Sequence, residues 1–122
     1  MSGEESRRRG QWGEELAAKY LTQRGFRLAA RGWRCRFGEL DLVAERGEFL
    51  CFVEVKLRRT ERYGSGAEQV DWRKQERLRR TAELYLQEHP TMLQPRFDVI
   101  EVLSPNGLGT KIPKIRHIEG AF

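Results

Sequence analysis

Cysteine and histidine are scarce in this chain of 122 residues, with two of each. Cys35 and Cys51 are too few for a disulfide framework and too far apart for a paired-cysteine metal site. His89 and His117 have no ligand-like neighbours in the sequence, so both read as structural or solvent-facing side chains. Long apolar runs are missing as well. None approaches the roughly 18 residues that a membrane helix requires, which argues against a membrane partner. Met1 to Arg9 is polar and has no apolar signal core, so secretion is not expected. There is no internal repeat and no low-complexity tract. The expectation is a protein of a reducing compartment, the cytoplasm.

What the chain does have is charge. Hydrophobic residues make up 39% and charged residues 34%, enough apolar material for one core over residues 1–122. Residues 1–9 are expected as a flexible basic N-terminus. The net charge of +5, from 23 basic and 18 acidic side chains, is spread unevenly. Residues 1–36 carry a balance of +5, residues 37–56 a balance of −3, and residues 57–85 a balance of +3. An acidic island between basic flanks suits a site that acts on a polyanion: the flanks attract phosphate, and the island holds a cation that offsets its own repulsion. Most of the basic residues are arginine, whose planar fork matches phosphate.

Periodicity predicts the elements. Trp12, Leu16 and Tyr20 recur every fourth residue, with Ala17 and Leu21 beside them, which predicts a helix over 11–24 that stops at Gly25. On that helix Glu14 lies next to Leu21 at the edge of the apolar arc, whereas Glu15 and Lys19 face water. Three strands follow, over 26–33, 37–44 and 48–57, the last two joined as a hairpin around Glu45-Arg46-Gly47. The third strand is apolar on both faces, the mark of a central position. A loop from Arg58 to Gly66 leads to a second helix over 71–88, with either Ser65 and Glu68 or Asp71 as its cap. Pro90 and Pro95 bracket a loop, Phe97 to Leu103 forms a strand, and Lys111 to Ile118 an edge strand interrupted by Pro113. The order α-β-β-β-α-β-β predicts an α/β fold, a mixed sheet flanked by helices.

The chemistry concentrates at Asp41 and, thirteen residues on, Glu54-Val55-Lys56. In a strand, residues i and i+2 share a face, so Glu54 and Lys56 point together, away from Val53, Val55 and Leu57. Asp41 on the neighbouring strand reaches the same spot. Two carboxylates converging on a largely apolar strand repel each other and raise a pKa. A hard divalent ion such as Mg²⁺ or Mn²⁺ relieves this, because it takes oxygen ligands and leaves positions for water and phosphate. Lys56 then orients the attacking water or stabilises charge on the phosphate. The same residues also fit a plain cross-strand salt bridge on a half-exposed hairpin. Glu39 shares the face of Asp41, as an outer-shell acid or as a surface ion-pair partner.

Gly38-Glu39-Leu40-Asp41-Leu42-Val43 and Phe52-Val53-Glu54-Val55-Lys56-Leu57-Arg58 together resemble the PD-(D/E)xK motif of the restriction-endonuclease-like superfamily. The wider set is similar to the small bacterial YraN-type family, itself similar to archaeal Holliday junction resolvases. It includes Gly13-Glu14-x-x-Ala17-x-x-Tyr20-Leu21, Lys74-Gln75, Phe97-Asp98-Val99 and His117-Ile118-x-x-Ala121-Phe122. The resemblance implies a restriction-endonuclease-like sheet and a metal-dependent nuclease acting on DNA, branched DNA included. By it Asp41 and Glu54 are metal ligands, Lys56 the catalytic lysine and Glu14 a further catalytic acid from the first helix. Leu40 stands where the motif's nominal proline would be. Symmetric cutting of a junction would require a homodimer.

Arg58, Arg59 and Arg62 in the loop after the motif, with Lys74 and Arg77 on the second helix, are the candidate phosphate contacts. Arg80 belongs to the same basic group. Two rival readings share these features: a nucleic-acid-binding module of the same fold that does not cut, and an interaction protein whose charges only solvate it.

Overall fold

The computed structural model describes residues 3–59 and 70–122. The first helix, α1, covers Gly3–Gln23 and so begins well before the apolar pattern does. The segment expected to be flexible is helical from Gly3 onward. It contains no proline, and Glu4 and Glu5 occupy its first turn, where negative charge suits the helix dipole. The helix ends as the sequence predicts. Gly25 takes φ +85°, its N–H donates to the Thr22 carbonyl, and the Phe26 N–H reaches back to the Leu21 carbonyl at 3.0 Å. This paired arrangement satisfies the last carbonyls and turns Phe26 into the core beside Leu21.

Strands β1 (Arg27–Cys35), β2 (Gly38–Arg46) and β3 (Phe49–Arg58) follow as an antiparallel meander. The second helix, α2, spans Trp72–Glu88 and then come β4 (Gln94–Leu103) and β5 (Lys114–Ile118). The five strands form one sheet in the order β1-β2-β3-β4-β5, with β3 and β4 parallel and every other pair antiparallel. The mixed α/β order expected from the sequence is present. Parallel pairing of β3 with β4 needs a crossover, and α2 lies within it.

The starts of β4 and β5 also differ from expectation. β4 starts at Gln94 and takes in Pro95, which the sequence places in a loop. Proline fits because β5 pairs only with Val99–Leu103, so among the described residues no strand ladder reaches Pro95 on that side. β5 starts at Lys114, just past Pro113, and is correspondingly short.

The central β3 explains the layering. Cys51 and Val53 pack with Ala17, Ala18 and Leu21 of α1, together with Leu42, Ala44, Ile100 and Val102. Leu50 and Phe52 pack with Leu78, Ala82 and Tyr85 of α2, together with Val43 and Val99. Each fully buried leucine, such as Leu21 or Leu42, contributes roughly 1.5–3 kcal/mol. Asp71 caps α2, its carboxylate accepting the Lys74 N–H at 2.9 Å. Ser65 and Glu68, the other candidate cap, lie outside the described residues.

Candidate functional site

Hydrogen-bonded pairing between β2 and β3 runs from Arg46↔Phe49 to Leu42↔Val53 and then stops. Beyond that point a side chain replaces the ladder: the Val55 N–H donates to Asp41 Oδ2 at 2.9 Å. The strands fork, and Asp41 sits in the fork. Glu54 and Lys56 alternate with Val53, Val55 and Leu57, which belong to the core under α1. Glu54 therefore faces α2, in a cleft of about 290 Å³ lined also by Glu39, Asp41, Lys74, Arg77 and Thr81.

Glu14 arrives from α1. Gly13 is buried, and a Cβ there would stand 3.0 Å from Leu57 Cδ2, so the bare backbone lets α1 press against the end of β3. The next residue is thereby delivered to the fork. Oxygens of Glu14, Glu39 and Asp41 lie within 4.8 Å of one another, all three residues half-buried. Their acidities respond. Burial, then the Glu54 charge, pushes Asp41 up to about 7 against the pull of the Val55 N–H, with Glu14 and Glu39 adding to the rise. Burial and the neighbouring Glu39 likewise raise Glu14, which Arg31 and Arg34 partly offset. Three crowded oxygen donors, one of them held protonated near neutrality, match the donor chemistry of a hard divalent cation.

Glu54 has basic partners of its own. It is 7% exposed, and its Oε1 lies 3.2 Å from Lys74 Nζ and 3.7 Å from Lys56 Nζ. The structure groups Asp41 with Glu14 and Glu39, and Glu54, which shares their cleft with Lys74, acts on Asp41 by its charge. Lys56 stands beside Glu54, as the strand period requires.

The basic residues divide. Lys74 and Arg77 line the cleft. Arg58 does not lie on an exposed loop: it is the last residue of β3, 7% exposed, with Nη1 3.5 Å from Glu101 Oε2. The parallel ladder carries β3 through Arg58↔Leu103, one residue beyond the expected end, and keeps that guanidinium inside. Arg59 is exposed, near the Gly107–Gly109 turn. Arg62 lies outside the described residues. Arg80 is exposed and 3.9 Å from Glu76. Arg31 and Arg34, close enough to lower the Glu14 pKa, belong to the rim of the site although no motif marks them. Arg34 also holds Glu39 at 3.0 Å. The only signal for them in the sequence is their three-residue spacing on an irregular edge strand.

Away from the cleft, Asp98 is fully buried and accepts from Arg96 at 2.8 and 3.0 Å and from the Gly120 N–H at 3.0 Å. His117 Nε2 is 2.7 Å from its other face, so this histidine is structural. Burial pushes the Cys51 thiol up to about 12, which leaves it an inert core side chain. No described helix is long and apolar enough to cross a membrane.

The sequence places this architecture among known relatives. A protein from Frankia casuarinae is 48% identical over 114 residues, covering 93% of this chain and 94% of its own. One from Syntrophomonas wolfei is 44% identical over 118 residues, covering 96% and 99%. One from Myxococcus xanthus is 43% identical over 119 residues, covering 97% and 91%. All three carry the name UPF0102 protein. The profile of that family matches residues 13–102, the span that contains Glu14, the forked hairpin and α2. The chain belongs to the uncharacterised protein family UPF0102.

Proposed function

We propose that this protein is a divalent-metal-dependent nuclease of the restriction-endonuclease-like kind, hydrolysing phosphodiester bonds in DNA. The observation that carries the reading is the meeting of Glu14, Glu39 and Asp41 within 4.8 Å at a forked strand pair, in a cleft shared with Glu54. Glu14, Glu39 and Asp41 would hold Mg²⁺ or Mn²⁺, which would supply positive charge and an acidified water to the reaction. Lys56, with its side chain 26% exposed, is placed to orient that water or to stabilise charge on the phosphate oxygens. In the reaction a water oxygen bonds to phosphorus as a bridging P–O bond breaks, and the leaving oxygen takes up a proton. Lys74, Arg77, Arg31 and Arg34 surround the acids with the charge a nucleic-acid backbone requires. We extend this reading to branched DNA, cut symmetrically by a homodimer, on the resemblance of the Asp41 and Glu54-Val55-Lys56 motif to Holliday junction resolvases.

One observation favours a second reading. Glu54, expected as a metal ligand, is paired with Lys74 at 3.2 Å and lies 3.7 Å from Lys56. A module that binds nucleic acid and does not cut retains such a pairing at no cost. The test is single-turnover cleavage of branched, duplex and single-stranded DNA with Mg²⁺ or Mn²⁺, beside binding in EDTA. The nuclease reading expects metal-dependent cutting by the wild type. It expects severe loss in Asp41→Asn, and slowed chemistry with retained metal binding in Lys56→Met. Tight binding with no cutting of any substrate would establish the second reading.

A further inference from the structure

The first two turns of α1 have no place in the core. Its buried residues begin at Gly13, and residues 3–8 are all exposed. The turns carry Arg7, Arg8 and Arg9, with Glu4 and Glu5 three and four residues before them, so pairing along the helix uses part of this charge. Their directions differ. At 100° per residue, Arg7 falls within about 20° of Glu14, whereas Arg8 points roughly 120° away. The helical line between Arg7 and Glu14 passes between Gly10 and the exposed Gln11, and among the described residues nothing from another element lies within 4 Å of the Gly10 Cβ position. Arg7 thus stands on the same face as the acidic site, about 10 Å further along the axis at 1.5 Å per residue, with no other element packed over Gly10.

We infer that the projecting start of α1 is a track for the nucleic-acid backbone leading out of the acidic site, with Arg7 holding a backbone phosphate about 10 Å along the helix from the site. The inference rests on the nucleic-acid reading of that site and extends it: the substrate continues past the reacting phosphate on the α1 side. Arg31 and Arg34, which face Glu14, continue the same basic surface onto β1.

The test is metal-free binding of a fluorescein-labelled DNA duplex, and of one of its strands alone, to the full chain across roughly 50–200 mM salt. Arg7→Ala, Arg8→Ala and Arg7→Lys are compared with wild type, with circular dichroism confirming that each keeps its helix content. Each phosphate contact contributes about 0.9 to the salt slope, which makes one lost contact worth about eightfold at 0.1 M relative to 1 M salt. Arg7→Ala is expected to lose that slope and affinity, Arg8→Ala to keep both, and Arg7→Lys to recover the slope. Equal effects at Arg7 and Arg8, no effect at either, or no binding of either probe by wild type would overturn the track. Because EDTA is present throughout, the two proposals fail separately. Binding through Arg7 without cleavage in Mg²⁺ removes the nuclease and leaves the track, and cleavage with an unchanged Arg7→Ala slope does the reverse.

Discussion

Asp41 does the work of a hydrogen-bond partner that β2 fails to supply and remains titratable while doing so. Its Oδ2 accepts the Val55 N–H, yet burial and the nearby acids hold its proton up to about 7. A cation must therefore displace that proton. Mg²⁺ affinity should climb by about tenfold per pH unit below 7 and level off above it. In Asp41→Asn the climb should vanish and the affinity fall, since the amide has no proton to exchange. Titration calorimetry in buffers of different ionisation enthalpy measures the proton release directly. A wild-type affinity that is flat between about pH 6 and 8 would remove Asp41 from the metal site.

At the scale of elements, the site depends on how closely α1 approaches β3, and Gly13 sets that distance. Alanine there gains about 1 kcal/mol of helix propensity. Its Cβ, however, would meet three Leu57 carbons at 3.0–3.3 Å. The expected result of Gly13→Ala is little net change in stability, with α1 displaced and Mg²⁺ affinity reduced through Glu14. Adding Leu57→Ala makes room and should recover the affinity, so a double-mutant cycle checks the argument. Lost affinity that Leu57→Ala fails to recover would argue against it. What the sequence reveals at this scale follows from local periodicity. Strand alternation pairs Glu54 with Lys56, and the helical wheel turns Glu14 inward. The Lys74–Glu54 pair is not legible, because helix and strand are brought together only by packing across the crossover. Arg58 misleads for a related reason: its neighbours read as a loop, while the partner that extends the ladder, β4, lies some forty residues on.

Over the whole molecule two aspartates pull stability in opposite directions with pH. Asp98 locks β4 to β5 and to the C-terminal turn through Arg96, His117 and Gly120. Burial tends to raise its pKa, but the hydrogen bonds from His117, Arg96 and the Gly120 N–H outweigh burial and hold it below its ordinary 3.8. Its stabilisation is therefore present above 3.8 and is lost as pH falls through the lowered value. Asp41 has the opposite sign. Its contribution is full below 3.8 and is lost as pH rises through about 7, where the folded state must carry a buried charge among acids. Without metal, the denaturation midpoint should peak in mildly acidic buffer, fall toward about pH 8 and fall again below about pH 4. Saturating Mg²⁺ should lift the alkaline side alone, since the ion binds only the folded, ionised site. Asp98→Ala leaves Arg96 without its buried partner and should cost about 3–5 kcal/mol above pH 4. It should flatten the acid limb and leave the alkaline fall untouched. Urea denaturation across pH, with Mg²⁺ and with EDTA, checks both limbs in one series. A metal-free midpoint that does not fall between about pH 5 and 8 would mean that the fork tolerates an ionised Asp41 without a cation, and the case for a metal there would lose its physical basis.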